Sequence, residues 1–260
     1  MNKFAAFFDI DNTLTAPHIG IPENVRNAIN RARELGHQVF INTGRSLYHI
    51  PKDLLAGMTF DGIVCGLGGS VIYRGKTLRE RVIDPSMVAE KTKYFAARKA
   101  TVVLEGLTGI YAYGRQEGFN RAYPDITGDL TIEEASREIG VSKLSIMRPI
   151  TEEEVEALKP LEVFIHAAYS ETHFPDCNKA EAMLFLAEYA GFDRSHCIAF
   201  GDSFNDEDML RAAGHSVVVA NGREEMKRIA EYVCPSSALG GVADGLAHFI
   251  PEMAEFIIPN

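Results

Sequence analysis

A short apolar run, Phe4 to Phe8, ends directly on two carboxylates, Asp9 and Asp11, and a turn signal, Asn12-Thr13. The run is aromatic-rich and too short for an ordinary helix, so it reads as a buried strand. A strand that delivers acids at its C-terminal end constrains the fold strongly. Open parallel α/β sheets bind their ligands at that edge. Two acids one residue apart also repel each other unless a cation or a shared proton lies between them.

The rest of the chain repeats the rhythm. Pro22 to Leu35 carries Val25, Ile29, Ala32 and Leu35 at helical spacing before Gly36, and His37 to Asn42 reads as a second strand leading into Thr43-Gly44-Arg45. Gly62 to Cys65 reads as a third strand, broken by Gly66-Leu67-Gly68-Gly69, where the backbone is expected to pack closely. Val71 to Tyr73 and Thr77 to Ile83 form a hairpin across Arg74-Gly75-Lys76. Strand, helix and strand at this spacing predict βαβ units and a parallel sheet.

From Asp84 the pattern changes. Ser86 to Arg98 reads as helix, Thr101 to Leu104 and Gly109 to Tyr113 as strands, and a mixed stretch follows. Lys143 to Met147 is a strand, Thr151 to Leu158 an acidic helix and Val163 to Ala167 a strand. After Pro175 the first rhythm resumes. Asn178 to Tyr189 is helical, His196 to Phe200 a buried strand ending on Gly201-Asp202-Ser203-Phe204-Asn205-Asp206, and Asp206 to Ala213 helical. Ser216 to Ala220 reads as a strand, with Glu224 to Tyr232 and Val242 to Phe249 as helices. The expected architecture is a Rossmann-like, doubly wound parallel-sheet core, residues 1–83 and 177–260, with an α+β domain inserted over 84–176.

Composition narrows the function. A net charge of -10 argues against nucleic acid or an anionic membrane as a partner. The four cysteines, Cys65, Cys177, Cys197 and Cys234, are scattered without a CxxC, which suits free thiols in a reducing cytoplasm. No stretch has the length of a membrane span, the first residues do not read as a signal peptide, and no heptad pattern sets the oligomeric state.

Strand-end loops of one parallel sheet converge in space. Asp9, Asp11, Asp202 and Asp206 would then share one cleft, an arrangement that requires a cation. Oxygen-only ligands without a Cys/His cluster select a hard ion, Mg²⁺, and Lys179 at the start of a helix is placed to add positive charge. Each signal alone is ordinary. Asp9 and Asp11 could be turn residues, Thr43-Gly44-Arg45 a plain turn, Lys179 a solvated helix residue, and Asp202 and Asp206 helix caps.

Taken in order, Asp9-Ile-Asp11-Asn12-Thr13, Thr43-Gly44-Arg45, Lys179 and Gly201-to-Asp206 resemble the four motifs of the haloacid dehalogenase (HAD) superfamily. The position of the insert resembles the C2 cap of the Cof-like subfamily IIB, mostly phosphatases of sugar phosphates and other small molecules. The resemblance implies an Mg²⁺-dependent phosphatase acting on a small phosphorylated metabolite, with the cap closing over it. A phosphotransferase or mutase on the same machinery, or a non-catalytic metabolite-binding protein, is the alternative. It implies Asp9 as nucleophile, forming an aspartyl phosphate, and Asp11 as general acid and base. It implies Mg²⁺ on the side chains of Asp9 and Asp202 and the Asp11 carbonyl, with Asp206 supporting it directly or indirectly. It assigns Asn12, Thr43, Gly44, Arg45, Lys179 and Asn205 to the phosphoryl group.

The chain departs from the family pattern at four places. Asn12 stands where Gly is frequent, Gly68-Gly69 where Asn-Gly is frequent, Lys179 lacks a following Gly, and Val219-Ala220-Asn221-Gly222 alters a usual Gly-Asn pair. These changes bear on substrate preference and leave the reaction intact. In the insert, Glu105, Tyr113, Arg115, Lys143, Arg148 and His166 are candidate substrate contacts, each more ordinarily a solvated surface residue.

Overall fold

The computed structural model describes residues 3–119, 121–128 and 131–258. In chain order the elements are β1 (Ala5–Phe8), α1 (Glu23–Glu34), β2 (Gln38–Asn42), β3 (Gly62–Cys65), β4 (Ser70–Tyr73), β5 (Lys76–Glu80), α2 (Pro85–Ala96), β6 (Val102–Gly106) and β7 (Ile110–Tyr113). They continue with α3 (Ile132–Ile139), β8 (Val141–Ile146), α4 (Glu152–Leu158), β9 (Glu162–Ile165), β10 (Ser170–His173), α5 (Lys179–Tyr189) and β11 (Cys197–Gly201). The chain ends with α6 (Glu207–Ala212), β12 (His215–Val219), α7 (Glu224–Lys227), β13 (Tyr232–Cys234) and α8 (Gly241–Phe249).

These elements form two compact units: one of residues 1–44, 51–79 and 178–260, the other of residues 45–50 and 80–177. The first, the core unit, contains a sheet ordered β13-β12-β11-β1-β2-β3-β4-β5. Its strands run parallel from β13 to β3, and β4 turns back antiparallel on β3. β1 lies between β11 and β2, with Phe8 in register with Phe200 on one side and Ile41 on the other. Full burial on both faces explains why these strands are continuous apolar runs rather than alternating ones. Phe7 stacks on Phe40 at 4.6 Å between ring centroids, on the face where Met183 and Leu186 of α5 and Met209 of α6 pack. Phe8 and Phe200 meet at 4.8 Å. A Cβ on Gly245 of α8 would lie 2.8 Å from the Phe200 ring, so that helix packs closely only because the residue is glycine.

The inserted unit is an antiparallel sheet ordered β7-β6-β8-β10-β9. Val102, Leu104, Leu144 and Ile146 share a core with Val88 and Phe95 of α2 and Ala135 and Ile139 of α3. Both α3 and α4 begin with capping boxes, Thr131 with Glu134 and Thr151 with Glu154.

Several sequence expectations change. The helix expected over Glu224 to Tyr232 ends at Lys227, and Tyr232–Cys234 instead pairs with β12, Tyr232 against Val217. Sheet pairing wins there because the segment is aromatic and β-branched, and because the Glu231 amide bonds to the Ser216 hydroxyl at 3.0 Å. The second hairpin strand stops at Glu80, because Ile83 is buried in the core of the inserted unit. α3 and β10 are further elements absent from the sequence reading. Among the described residues no helix is long and apolar enough to cross a membrane.

Candidate active site

The geometry follows from the strand order. β11, β1 and β2 are adjacent and parallel, so the loops that begin at Asp202, Asp9 and Thr43 leave the same sheet edge side by side. The Asp9 amide still donates to the Phe200 carbonyl at 3.0 Å, which fixes Asp9 as the last residue of the ladder. Beyond it the chain turns sharply, with Asn12 in the left-handed region at φ 60°. Asparagine tolerates that conformation better than most residues, so the Gly-to-Asn departure is accommodated.

Lys179, the first residue of α5, extends its ammonium between two acids. Nζ donates to Asp9 Oδ1 and to Asp206 Oδ1, both at 2.6 Å, with the lysine side chain fully buried. The other Asp206 oxygen accepts from the backbone amides of Asp202 at 3.0 Å and Ser203 at 3.1 Å. Asp206 thus spends both oxygens on organising its neighbours. Asp202 accepts from the Thr13 hydroxyl at 3.4 Å. One carboxylate oxygen from each of Asp9, Asp202 and Asp206 lies within 4.8 Å of the others.

Three carboxylates here face one ammonium. Burial pushes the Asp9 carboxyl well above the usual aspartate range, outweighing the lowering by Lys179, and the Asp206 and Asp202 charges add to the rise. Burial, followed by the Asp206 charge, pushes Asp202 up to about 6. Lys179 is held charged by Asp206 and Asp9 against its own burial. The lysine alone therefore leaves the site short of positive charge. A hard divalent cation fits the donor set of carboxylate oxygens and that deficit, with Asp9 and Asp202 the side chains whose oxygens are least committed elsewhere.

Asp11 is exposed while Asp9 is 4% exposed, so the opening pair divides into a buried and an accessible acid. Thr43 is buried; its amide donates to the Val64 carbonyl and its carbonyl accepts from the Leu67 amide. A Cβ on Gly44 would come within 3.6 Å of the Asn205 side-chain nitrogen, so the second and fourth motifs meet there. Asn205 also accepts from the Ser203 hydroxyl at 3.0 Å. Arg45 clusters with the inserted unit, where its guanidinium donates to the His49 carbonyl at 3.3 Å.

Two residues with positioning contacts fell outside the sequence reading. Thr13, which has a place in the first motif but no assigned task there, donates to Asp202. Asn42, fully buried at the end of β2, donates to the Lys179 carbonyl at 2.9 Å and so ties the second motif to the third. The available signal was a polar residue closing an otherwise apolar strand. Gly68 makes the close backbone approach expected of its loop: a Cβ there would lie 2.6 Å from the carbonyl of Asn178, which precedes Lys179. In the inserted unit, Glu105 and Lys143 are not solvated surface residues. Both are buried, and Lys143 pairs with Glu105 at 3.4 Å and with Glu171 at 2.7 Å.

The sequence model of the haloacid dehalogenase-like hydrolases matches residues 6–246. The chain is 25% identical over 261 residues to the 5-amino-6-(5-phospho-D-ribitylamino)uracil phosphatase YitU of Bacillus subtilis, covering 94% of this chain and 95% of that one. It is 26% identical over 246 residues to a phosphoglycolate phosphatase of Methanothermobacter thermautotrophicus, covering 93% and 96%. Its fold is similar to that of the HAD subclass IIB sugar phosphatase BT4131, with a TM-score of 0.79 at 22% identity over 95% and 99% of the two chains. The chain belongs to the haloacid dehalogenase-like hydrolase family and stands among its phosphatases.

Proposed function

We propose that the protein is an Mg²⁺-dependent phosphatase that hydrolyses a small phosphorylated metabolite, such as a sugar phosphate, through an aspartyl phosphate on Asp9. The observation that carries this reading is the contact of Lys179 with both Asp9 and Asp206 beside Asp202, a buried acid cluster that calls for a cation. Relatives named as phosphatases of phosphorylated small molecules support the substrate class. Buried thiols at Cys65, Cys177, Cys197 and Cys234 suit a reducing cytoplasm.

Asp9 attacks phosphorus and the bond to the leaving oxygen breaks, while Asp11 gives that oxygen its proton. Asp11 then takes a proton from water, which attacks the phosphorus of the aspartyl phosphate and regenerates the Asp9 carboxylate. The exposure of Asp11 suits a group that exchanges protons, and the burial of Asp9 beside Lys179 suits one held in place to attack. Thr43, Lys179 and Asn205 hold phosphoryl oxygens, with the Gly44 backbone and Asn12. Bound through Asp9, Asp202 and the Asp11 carbonyl, Mg²⁺ supplies charge neutralisation at the transferring phosphoryl group. Asp206 supports it indirectly, through Lys179 and the Asp202 amide.

A screen of phosphorylated metabolites for phosphate release, with Mg²⁺ and with EDTA, tests the reading. Turnover should require Mg²⁺, and Asp9→Asn should abolish it while the variant stays folded. Full activity in EDTA would remove the metal from the proposal, and full activity in Asp9→Asn would remove the nucleophile.

A further inference from the structure

The loop after β12 carries one of the departures from the family pattern, Ala220-Asn221-Gly222, and the reaction scheme leaves it without a task. It contacts both acid-bearing loops. Asn221 Nδ2 donates to the Asn12 carbonyl at 2.8 Å, and Asn221 Oδ1 accepts from the Ser237 amide at 2.7 Å. With both ends of the amide engaged, its orientation is set. The next two residues contact the metal-ligand loop. The Arg223 amide donates to the Asp202 carbonyl at 2.8 Å, and a Cβ on Gly222 would lie 3.1 Å from the Asp202 Cα. The Arg223 guanidinium covers the Phe204 ring at 4.6 Å.

The backbone around Asp11 needs such a support. Asp11 is exposed, and the peptides to either side of it contribute to its direction. On one side Asp9 is locked to β11 through the Phe200 carbonyl. On the other the chain passes through Asn12 at φ 60°, which costs a non-glycine residue energy unless its surroundings impose it. The Asn12 amide donates to the Thr15 hydroxyl at 3.3 Å, and the Asn12 carbonyl rests on Asn221.

We infer that Asn221 is a positioning residue for the proposed reaction: by holding the Asn12 carbonyl it aims Asp11, and through Gly222 and Arg223 the same loop fixes the spacing to Asp202. The inference rests on the phosphatase reading for its catalytic consequence, but the bracing itself does not. A displaced acid harms most the reaction that most needs a proton. An alkyl phosphate has a leaving oxygen that must be protonated, whereas p-nitrophenyl phosphate leaves readily without help. Misplacing a catalytic group by about 1 Å can cost on the order of 100-fold.

The test is Asn221→Ala, with Asn221→Ser as a second variant too short to span both partners. Melting temperature should stay near wild type, because Asn221 is exposed. For the best alkyl phosphate from the screen, kcat/KM, which reports on transfer to Asp9 and not on the later hydrolysis common to all substrates, should fall by about 10-fold or more; for p-nitrophenyl phosphate the fall in kcat/KM should be about 3-fold or less. Equal losses on the two substrates, or no loss on either, would overturn the assignment. Amide hydrogen exchange reads the brace without turnover: Ile10 to Thr15 should exchange faster in the variants than in wild type. Unchanged exchange there overturns the brace, whereas wild-type protein inert towards every phosphate ester, with faster exchange in the variants, would overturn only the phosphatase reading.

Discussion

Lys179 stands between Asp9 and Asp206 with its side chain fully buried, and its removal would leave acids facing one another without a counter-charge. Breaking a buried pair by deleting one partner typically costs about 3–5 kcal/mol. Lys179→Met should lose that order of stability at neutral pH by chemical denaturation, together with turnover. A loss under about 1 kcal/mol would mean that solvent, not Lys179, balances the acids. The unmet charge also gives a pH signature. Asp202 is raised from 3.8 to about 6 and Asp9 is raised as well, so between about pH 4 and 6 these two groups bind more protons in the folded, metal-free protein than in the unfolded chain. That contribution to stability is complete below the unfolded value and disappears as pH rises through the folded one. In EDTA the melting temperature of the wild type relative to Asp202→Asn should therefore fall with pH across this window. Stabilisation by Mg²⁺ should grow over the same range, as the acids become available as ligands. A Mg²⁺ effect that is flat with pH would separate the cation from these carboxylates.

At the scale of elements, the approach of the Gly66–Gly68 turn to the start of α5 sets where Lys179 begins. Gly68 has φ +97°, and a Cβ there would meet the Asn178 carbonyl at 2.6 Å. Gly68→Ala should destabilise the core unit by about 1–3 kcal/mol or more, from strain and overpacking together, and should lower kcat by displacing Lys179. Gly75→Ala, also at positive φ but with open space around it, should show only the conformational part; equal losses in the two variants would exclude the close approach as the cause. Legibility differs between elements for identifiable reasons. β1, β2, β3 and β11 were readable because two-sided burial makes each a short apolar run ending in a loop. β10, Ser-Glu-Thr-His, contains no apolar residue, and its burial rests on polar partners that only the tertiary structure supplies. α3 carried a readable signal, Thr131 followed by Glu134, but lay in a stretch without an obvious start. Within the candidate site, residue types at strand ends pointed to Asp9, Thr43 and Asp202, and a lysine opening a helix pointed to Lys179. The tasks of Asn42 and Asn221 depend on which carbonyl each amide meets, and spacing along the chain does not encode that.

At the scale of the whole molecule, the division into two units places two separate ionic clusters in one chain. In the inserted unit, Glu105 accepts from Ser46 at 2.9 Å, Ser145 at 2.5 Å and Lys143, and Glu171 accepts from Lys143 and from His166 at 2.9 Å. The Lys143 ammonium, with hydrogen bonds from His49 and Ser145, keeps Glu105 ionised far below the usual glutamate range in spite of its burial. This face of the sheet is built from Glu105, Lys143, Ser145 and Glu171, while Val102, Leu104, Leu144 and Ile146 fill the helix-covered side. The polar face therefore needs its lysine as the apolar face needs its leucines. Lys143→Met should cost about 3–5 kcal/mol by leaving Glu105 and Glu171 opposed. Each unit has its own core, so the loss should be local. Hydrogen exchange should accelerate over β6, β8 and β10 while β1 and β11 keep their protection, and Mg²⁺ should still stabilise the core unit. Faster exchange across Ala5–Phe8 and Cys197–Gly201 as well would show that the chain unfolds as one cooperative body and would refute the separate-core account.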